Sequence, residues 1–422
     1  MGKGKKVINI IGEILLHPVT VFIGMGVGIF LGIYHKELSS DLAPIGVLYL
    51  YLLQMCVLPI MISAVVVSVG RLFISGGADS FIFRVSLVFV AGMLIAAVVG
   101  AGLAVVGGLG KELGTEQKAL LGKEISKIEL KGESVSAEPE KKVGAFALLE
   151  QVVPINIFRS LAEGHTLPVL FFCLIAGVSL GSLGLEQADV VLKVIDASYE
   201  AMLKIVAWLL YGLPIGLCCL FADQIAKIGA GIFMALSGLV LYTFLGSFIL
   251  MALYSIIIWR RSGETYLSSL LALRKAIVVS IGTSSSFAAL PFALRGLHAD
   301  LRFEKERIDL VMPLGITLNP HGNIFCFSMI GVFMSYLYDV PITSSSFMMI
   351  VLTSILAGVA ASSAPGIAGL TMLSLVLDPL GLPLVVAVVL VTAINPIIDP
   401  VLTAINLHGN CASVVMVSQK EG

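Results

Sequence analysis

Apolar residues run along this chain in long windows that short polar segments separate. A helix that crosses a bilayer needs about 20 mostly apolar residues. Windows of that kind lie at residues 14–34, 44–70, 80–110, 144–185 (partly broken), 196–222, 229–259, 308–337 and 383–417. We therefore predict an all-α polytopic membrane protein with about eight transmembrane helices.

Two further apolar segments, 268–294 and 345–377, are interrupted by Ser, Gly and Pro. A helix can be interrupted within lipid only where other protein or a water-filled cavity satisfies the freed backbone groups. We therefore predict that both segments are re-entrant helical hairpins with polar tips. The tips are Ser284, Ser285 and Ser286 in the first, and Ser362 to Gly366 in the second.

A short polar motif occurs twice in the last quarter of the chain, each time after one of the hairpins. It reads Asn-Pro-His-Gly-Asn at 319–323 and Asn-Leu-His-Gly-Asn at 406–410. Two corresponding broken spans are typical of transporters built from internal inverted repeats, with the binding site between them. We expect both copies to interrupt their helices and to flank a binding site.

Composition supports a membrane protein and argues against several other classes. Hydrophobic residues make up 58% of the chain and charged residues only 13%, against roughly 25% charged in soluble domains. The net charge of −1 offers no basic face for nucleic acid. The six cysteines lie in apolar stretches without paired spacing, which is typical of small buried side chains. No nucleophile–base pair or metal cluster is evident, so an intramembrane enzyme is the weakest hypothesis and we expect no cofactor.

Basic residues predict the orientation, because Lys and Arg are enriched in cytoplasmic loops. They precede the first span, flank the turn after the second, and bracket the first hairpin. The residues concerned are Lys3, Lys5, Lys6, Arg71, Arg84, Arg260, Arg261, Arg295, Arg302, Lys305 and Arg307. We expect an inner-membrane protein with a cytoplasmic N-terminus, and we expect the hydrophilic loop 111–143 to lie outside without a role in transport.

Asp399 is the one acidic residue between Pro379 and Ser418, a stretch that contains no Lys or Arg. A carboxylate in the middle of a span costs several kcal/mol unless it faces a cavity or a partner. The natural counter-charge is a substrate amine or a cation. The alternatives are a protonated, buried Asp or a pair with a Lys from another helix.

Polar residues on the last span share one helix face with Asp399. Asp399, Thr403, Asn406 and Asn410 follow a spacing of i, i+4, i+7 and i+11. This stripe predicts a site that holds an amino group at Asp399 and a carboxylate at the Thr403 hydroxyl and the Asn406 amide. The serines of the first hairpin offer further donors for a carboxylate, as helix N-termini do.

His321 and His408 take equivalent places in the repeated motif. A histidine in a membrane helix either makes a hydrogen bond to another helix or carries a functional charge, and the sequence leaves both open. A zinc site is not indicated, since no Cys or second His lies at ligand spacing to either one.

These residues resemble the dicarboxylate/amino acid:cation symporter family, the glutamate-transporter-like proteins, over about 14–417. The stretch from Asn156 to Gly164, followed by Leu167 to Leu170, is similar to that family, and so is the order of hairpins and broken helices. The resemblance implies a homotrimer in which a transport domain slides as an elevator. The implied scaffold is 1–79 with 144–228, and the implied transport domain is 80–110 with 229–422.

The departures from the family pattern concern its cation and side-chain sites. His321 stands for an acidic sodium ligand, Asn395 and Asn410 stand for two sodium-binding acids, and Leu402 stands for the arginine that binds a side-chain carboxylate. A sodium motif of the third span is replaced by Phe89, Gly92 and Met93. Asp399, Thr403 and Asn406 keep the positions that bind the amino acid. The backbone-carbonyl sodium site near Thr317 is the one that the resemblance still allows.

Two sets of candidate residues follow from the motifs and from the resemblance together. The substrate-binding candidates are Asp399, Thr403, Asn406, Leu402, Asn323, Ser284, Ser285, Ser286, Ala364, Pro365 and Gly366. The ion-coupling candidates are His321, His408, Asn319, Thr317, Asn395 and Asn410.

We therefore predict a secondary transporter for an amino acid without a side-chain carboxylate, with weak sodium dependence. The coupling is open between protons at the histidines, Na⁺ at the carbonyls near Thr317, and uncoupled exchange. The alternatives are an uncoupled channel-like or receptor-like protein on the same fold, or a symporter of acidic amino acids or dicarboxylates.

Overall fold

The computed structural model describes residues 18–75, 78–111, 153–183, 185–227, 236–362 and 367–420. Helices make up the regular structure of these ranges, which confirms the predicted all-α fold. The helices are α1 (Pro18–Tyr34), α2 (Lys36–Ser75), α3 (Ala78–Val106), α4 (Ile157–Glu163), α5 (Thr166–Ser182), α6 (Leu185–Leu209), α7 (Leu213–Lys227), α8 (Ser237–Ser262), α9 (Tyr266–Thr283), α10 (Ser286–Arg295), α11 (Lys305–Leu318), α12 (His321–Leu337), α13 (Ser344–Ser362), α14 (Ile367–Leu370), α15 (Ser374–Leu377) and α16 (Leu384–Val417).

Six helices within the described ranges are long and apolar enough to cross a bilayer, and the bent pair α6–α7 makes seven if it is one span. These helices confirm a polytopic membrane protein. Two of the six, α9 and α13, are arms of the predicted hairpins. Length and composition therefore do not separate a re-entrant arm from a full span.

The helices pack into two groups. In the first group α2 lies against α5, α6 and α7, while α1 packs along α7. In the second group α3 packs on α12, and α16 contacts α8, α9, α11 and α12. The groups meet mainly where α11 packs against α2, with smaller contacts of α9 with α1 and α7. The candidate site residues that the structure describes all belong to the second group.

Small residues allow α1 and α7 to approach closely. A Cβ atom added at Gly24 or Gly28 would collide with the backbone of Pro214 or Cys218 on α7. Gly26 lies between these two glycines and faces open space. Glycines at this spacing are typical of membrane helix interfaces, where close backbone contact replaces a hydrophobic driving force.

Two of the predicted windows are broken helices in the structure. The window 196–222 bends by 68° between α6 and α7, at a one-turn 3₁₀ helix over Leu210–Gly212. Pro214 lies in the first turn of α7, where its missing N–H costs no helical hydrogen bond. The window 308–337 breaks between Leu318 and His321, as the first copy of the motif predicts.

The prediction that the second copy also breaks its helix is wrong. Residues 406–410 lie inside α16, which runs without interruption from Leu384 to Val417. Pro320 of the first copy has no N–H to donate, whereas Leu407 at the matching position donates normally. Pro396 and Pro400 also lie inside α16, and membrane helices tolerate prolines where neighbouring groups satisfy the freed carbonyls.

Candidate substrate and cation site

The polar stripe on α16 is continuous because the helix is continuous. Thr403 and Asn410 are buried, with 5% and 1% of their surface exposed, while Asp399 and Asn406 are half-buried. The helices α8, α9, α11 and α12 surround α16. The stripe therefore lies within the second helix group.

Asp399 makes no hydrogen bond or ion pair with any residue that the structure describes. The basic residues Arg295 and Lys275 line a cleft among α6, α9, α10 and α11, in which Asp399 takes no part. Leu402 is also buried, and Gly322 packs directly against its backbone. The carboxylate is thus without a counter-charge in the described part of the chain.

Asn406 connects α16 to the start of α12. Its Oδ1 accepts a hydrogen bond of 2.6 Å from the Gly322 N–H. Because Asn406 Oδ1 accepts this bond, the Asn406 NH₂ group is the part of the amide that can donate to a ligand. Thr403, one turn earlier, has its hydroxyl on the same face.

Beside the break in the α11–α12 span, the Asn410 side chain bonds to both the side chain and the backbone of Asn319, while Asn319 Oδ1 has no partner among the described residues. The Asn319 Nδ2 donates to Asn410 Oδ1 at 3.1 Å. The Asn410 Nδ2 donates to two backbone carbonyls, that of Asn319 at 3.2 Å and that of Asn406 at 2.7 Å. The NH₂ group of Asn410 therefore lies where two carbonyl oxygens converge.

The Thr317 carbonyl is also occupied. It accepts a hydrogen bond of 2.5 Å from the Ser362 hydroxyl, at the end of α13. This bond ties the second hairpin to α11. Ala364, Pro365 and Gly366, the other candidates at that tip, lie outside the described residues.

The two histidines bind adjacent residues of α8. Tyr254 Oη lies 2.5 Å from His321 Nδ1, and Ser255 Oγ lies 2.9 Å from His408 Nε2. Both histidines are 1% exposed, and the second nitrogen of each has no partner among the described residues. No described carboxylate bonds to either ring, so the observed role is hydrogen bonding between helices.

Space for the His321 ring comes from two glycines. A Cβ at Gly92 of α3 would lie 2.7 Å from His321 Cε1, and one at Gly409 of α16 would lie 2.6 Å from Nδ1. The sequence prediction did not include Tyr254, Ser255 or Gly409. The sequence signal for Tyr254 and Ser255 was that two polar residues stand next to each other in the apolar helix α8.

The first hairpin has the predicted Ser-rich tip. Ser284 adopts a left-handed conformation (φ 48°) and ends α9. Ser285 caps the N-terminus of α10, since its side chain accepts a hydrogen bond of 3.2 Å from the Ala288 N–H. Ser286 begins α10, and all three serines are half-buried. The tip therefore presents hydroxyls and the positive end of a helix.

Asn323 and Asn395 have no hydrogen bond to a described residue. Both are half-buried, Asn323 in the first turn of α12 and Asn395 one turn before Asp399 on α16. The described ranges contain no group of three His, Cys, Asp or Glu side chains placed to hold a metal ion. Apart from the Asp399 carboxylate, the described oxygens that could meet a cation in this region belong to carbonyl, amide and hydroxyl groups.

Residues 18–420 match a model of a family described as the sodium:dicarboxylate symporter family. The chain belongs to that family. This confirms the resemblance noted in the sequence and shows that the protein is a membrane transporter of the secondary type. Members of this family transport a small-molecule substrate together with a cation.

The symporter is similar to proteins of two named activities. It is 25% identical over 408 residues to the proton/sodium-glutamate symport protein of Bacillus subtilis, covering 95% of this chain and 92% of that one. It is 27% identical over 420 residues to the protein of the same name from Geobacillus stearothermophilus, covering 95% and 94%. It is 24% identical over 417 residues to the C4-dicarboxylate transport protein of Azorhizobium caulinodans, covering 96% and 88%.

Proposed function

We propose that this symporter carries an amino acid without a side-chain carboxylate, and that Asp399 holds the substrate amino group. The observation that supports this proposal is a half-buried carboxylate in mid-helix without a described partner. In a water-poor site such a group needs a counter-charge. The amine of an amino acid supplies one during each transport cycle.

The substrate carboxylate then binds further along the stripe, at Thr403 and Asn406. The Thr403 hydroxyl and the Asn406 NH₂ are donors on the same face as Asp399. The half-buried serines at the tip of the first hairpin add hydroxyls and the N-terminus of α10, where anions are stabilised. Broken or re-entrant helices direct their N-termini at anionic substrate groups in other transporters.

Leu402 supports a substrate without a second carboxylate. Its buried aliphatic side chain offers no donor, and an unpaired carboxylate next to it would lose its hydration without compensation. A dicarboxylate would in addition bring like charge towards Asp399. An amino acid with a neutral side chain avoids both costs.

An acidic substrate is the second candidate, and the names of the relatives favour it. Those relatives are named for glutamate or for C4-dicarboxylates. Such a substrate needs a basic residue near Leu402, and Arg295 and Lys275 line a cleft in which neither Asp399 nor Leu402 takes part. Competition between neutral and acidic substrates separates the two candidates.

We further propose that sodium dependence is weak. The carbonyls of Asn319, Asn406 and Thr317 accept hydrogen bonds from the chain's own amide and hydroxyl groups. Each of these carbonyl oxygens has two lone pairs, and the hydrogen bond leaves one of them for a hard cation. No described acid balances an imidazolium at His321 or His408, which argues against a permanent positive charge on either ring.

We propose that the substrate is carried by a movement of the second helix group relative to the first. The first group, α1, α2 and α5 to α7, forms the scaffold and the interface of a homotrimer. The second group, which holds the candidate site, moves across the inner membrane as a transport domain. The two hairpins close the site from either side of the bilayer, and the N-terminus lies in the cytoplasm.

The direct test is Asp399→Asn in proteoliposomes loaded with a neutral amino acid. We expect counterflow of labelled amino acid to be abolished, because breaking a buried ion pair costs about 3–5 kcal/mol. Asp339→Asn is the matched control, since Asp339 is exposed and has φ 55°, a conformation that Asn tolerates. Both variants should assemble as the wild type does. Normal counterflow by Asp399→Asn would overturn the assignment.

A further inference from the structure

A cleft lies apart from the candidate substrate site. It has a volume of about 870 Å³ and opens between α6 of the first helix group and α9, α10 and α11 of the second. None of the candidate substrate or ion-coupling residues lines it. Pockets that hold small molecules have volumes of roughly 300–1,000 Å³.

The cleft is lined by four basic side chains that are not neutralised. Lys204 of α6, Arg274 and Lys275 of α9, and Arg295 of α10 are all exposed. None of the four makes an ion pair or side-chain hydrogen bond with a residue in the described ranges. Lys305, which also lines the cleft, differs because it bonds to Glu200 at 3.3 Å and lies 3.8 Å from Asp196.

Two of the three acidic residues in the cleft already have partners. Glu200 bonds to Lys305, and the buried Asp309 accepts a hydrogen bond of 3.1 Å from the Tyr199 hydroxyl. Asp300 is the remaining acid in the lining. His298 also lines the cleft and bonds to the Phe303 carbonyl. The charged lining groups that remain are therefore four cations, Lys204, Arg274, Lys275 and Arg295, and one anion, Asp300.

We propose that this cleft binds a phosphate-bearing anion, either a phospholipid headgroup or a soluble phosphate compound. Guanidinium and ammonium groups bind phosphate oxygens through charge-assisted hydrogen bonds, and arginine does so with two parallel donors. The first hairpin supplies Arg274, Lys275 and Arg295, and α6 supplies Lys204. A bound phosphate therefore contacts both helix groups at once.

An anion in this position links α6 to the first hairpin. It stabilises the arrangement of the two helix groups that the structure has. If the groups move relative to each other, as proposed above, the anion slows transport by favouring one arrangement. This consequence rests on the proposed function, but the binding itself does not.

The experiment uses the full chain in a neutral detergent and two probes. One is inorganic pyrophosphate, and the other is phosphatidylglycerol in mixed micelles, with phosphatidylcholine, whose headgroup is zwitterionic and has no net charge, as the reference. Thermal unfolding is followed against the concentration of each probe. We expect a saturable rise in Tm that weakens with added salt, because exposed charges are screened.

The variant Arg274→Gln/Lys275→Gln/Arg295→Gln should raise the half-saturating concentration about tenfold or more, since several charge-assisted contacts are lost. The matched control is Lys36→Gln/Arg84→Gln/Arg260→Gln, which removes three exposed basic residues outside the cleft. The control should keep the wild-type value. If the triple cleft variant does not fold, Arg274→Gln and Arg295→Gln are compared singly with Arg260→Gln.

A response to phosphatidylglycerol alone identifies a lipid headgroup, and a response to pyrophosphate alone identifies a soluble phosphate. The proposal is overturned if neither probe raises Tm, or if the cleft and control variants respond equally. Stabilisation by a neutral amino acid is measured on the same samples. Because it should be intact in the cleft variant, a failure of the anion site is distinguishable from a failure of the proposed transport function.

Discussion

The NH₂ group of Asn410 lies between the carbonyl oxygens of Asn319 and Asn406 and donates to both, whereas the buried side-chain oxygen of Asn319 has no partner among the described residues. An amide nitrogen donates to both carbonyls and leaves no unpaired charge. A carboxylate at the same place would repel both oxygens unless a cation came between them. From the sequence alone it was clear that Asn410 replaces an acidic residue of the family pattern. The sequence did not predict that the amide fills the position, because Asn319 and Asn410 are 91 residues apart and meet only through packing.

Asn410→Asp should create a requirement for sodium. Without Na⁺ we expect a loss of stability of about 1–3 kcal/mol, because two buried carbonyls lose their donor. With Na⁺ at 100 times its dissociation constant the gain should be about 2.7 kcal/mol. The measurement is Tm in NaCl against choline chloride.

Asn156→Asp is the control for this experiment, since Asn156 is exposed, lies outside the candidate site, and caps the N-terminus of α4, as Asp also can. It should respond equally to the two salts. Equal responses of Asn410→Asp to both salts would contradict the interpretation, and so would a wild-type protein that responds to Na⁺ as strongly as this variant.

The apolar windows predicted the helices well because hydrophobic length is a local property of the chain. The interruptions were harder to predict. Two copies of one motif looked equivalent in the sequence, yet Pro320 lies at a break while Leu407 continues α16. The contact between α1 and α7 was not predicted either, since glycine spacing shows that close approach is possible without naming the partner helix.

Gly28→Ala should destabilise the first helix group. The added methyl group meets the Cys218 backbone on α7, and α1 must move away. Overpacking of this kind costs about 1–3 kcal/mol, which should appear as a lower Tm in detergent. Gly26→Ala is the matched control, because nothing lies within 4 Å of its Cβ position. Equal Tm values for the two variants would show that α1 and α7 do not pack as described.

Polar contacts join the two helix groups of the whole molecule. Arg71 of α2, which pairs with Asp196 within the first group at 2.9 Å, lies 3.6 Å from Glu306 of α11 in the second. Lys305 and Asp309 of α11 bond to Glu200 and Tyr199 of α6. Apolar windows in the sequence do not predict such pairs, because the two residues of each pair are more than a hundred positions apart. If the groups slide past each other, these contacts break and form in each cycle.

A permanent link across this junction should therefore stop transport. Glu200→Cys with Lys305→Cys replaces an ion pair of 3.3 Å, and a short bismaleimide then joins α6 to α11. We expect uptake to fall to background after cross-linking, since domain movements of this kind need both groups free. Asp189→Cys with Lys193→Cys replaces a pair of 2.6 Å within α6, and its cross-link should leave uptake unchanged. Full cross-linking of the first pair with normal uptake would argue against a moving transport domain.

The central claim is the identity of the substrate, and competition for uptake into proteoliposomes tests it most directly. Labelled neutral amino acid is offered with unlabelled alanine, serine, glutamate, aspartate or succinate outside. With Asp399 unpaired and Leu402 in the wall, we expect saturable uptake that alanine or serine inhibits at lower concentrations than glutamate or aspartate, with no inhibition by succinate. Stronger inhibition by glutamate, aspartate or succinate, or a conductance that does not saturate, would contradict the account.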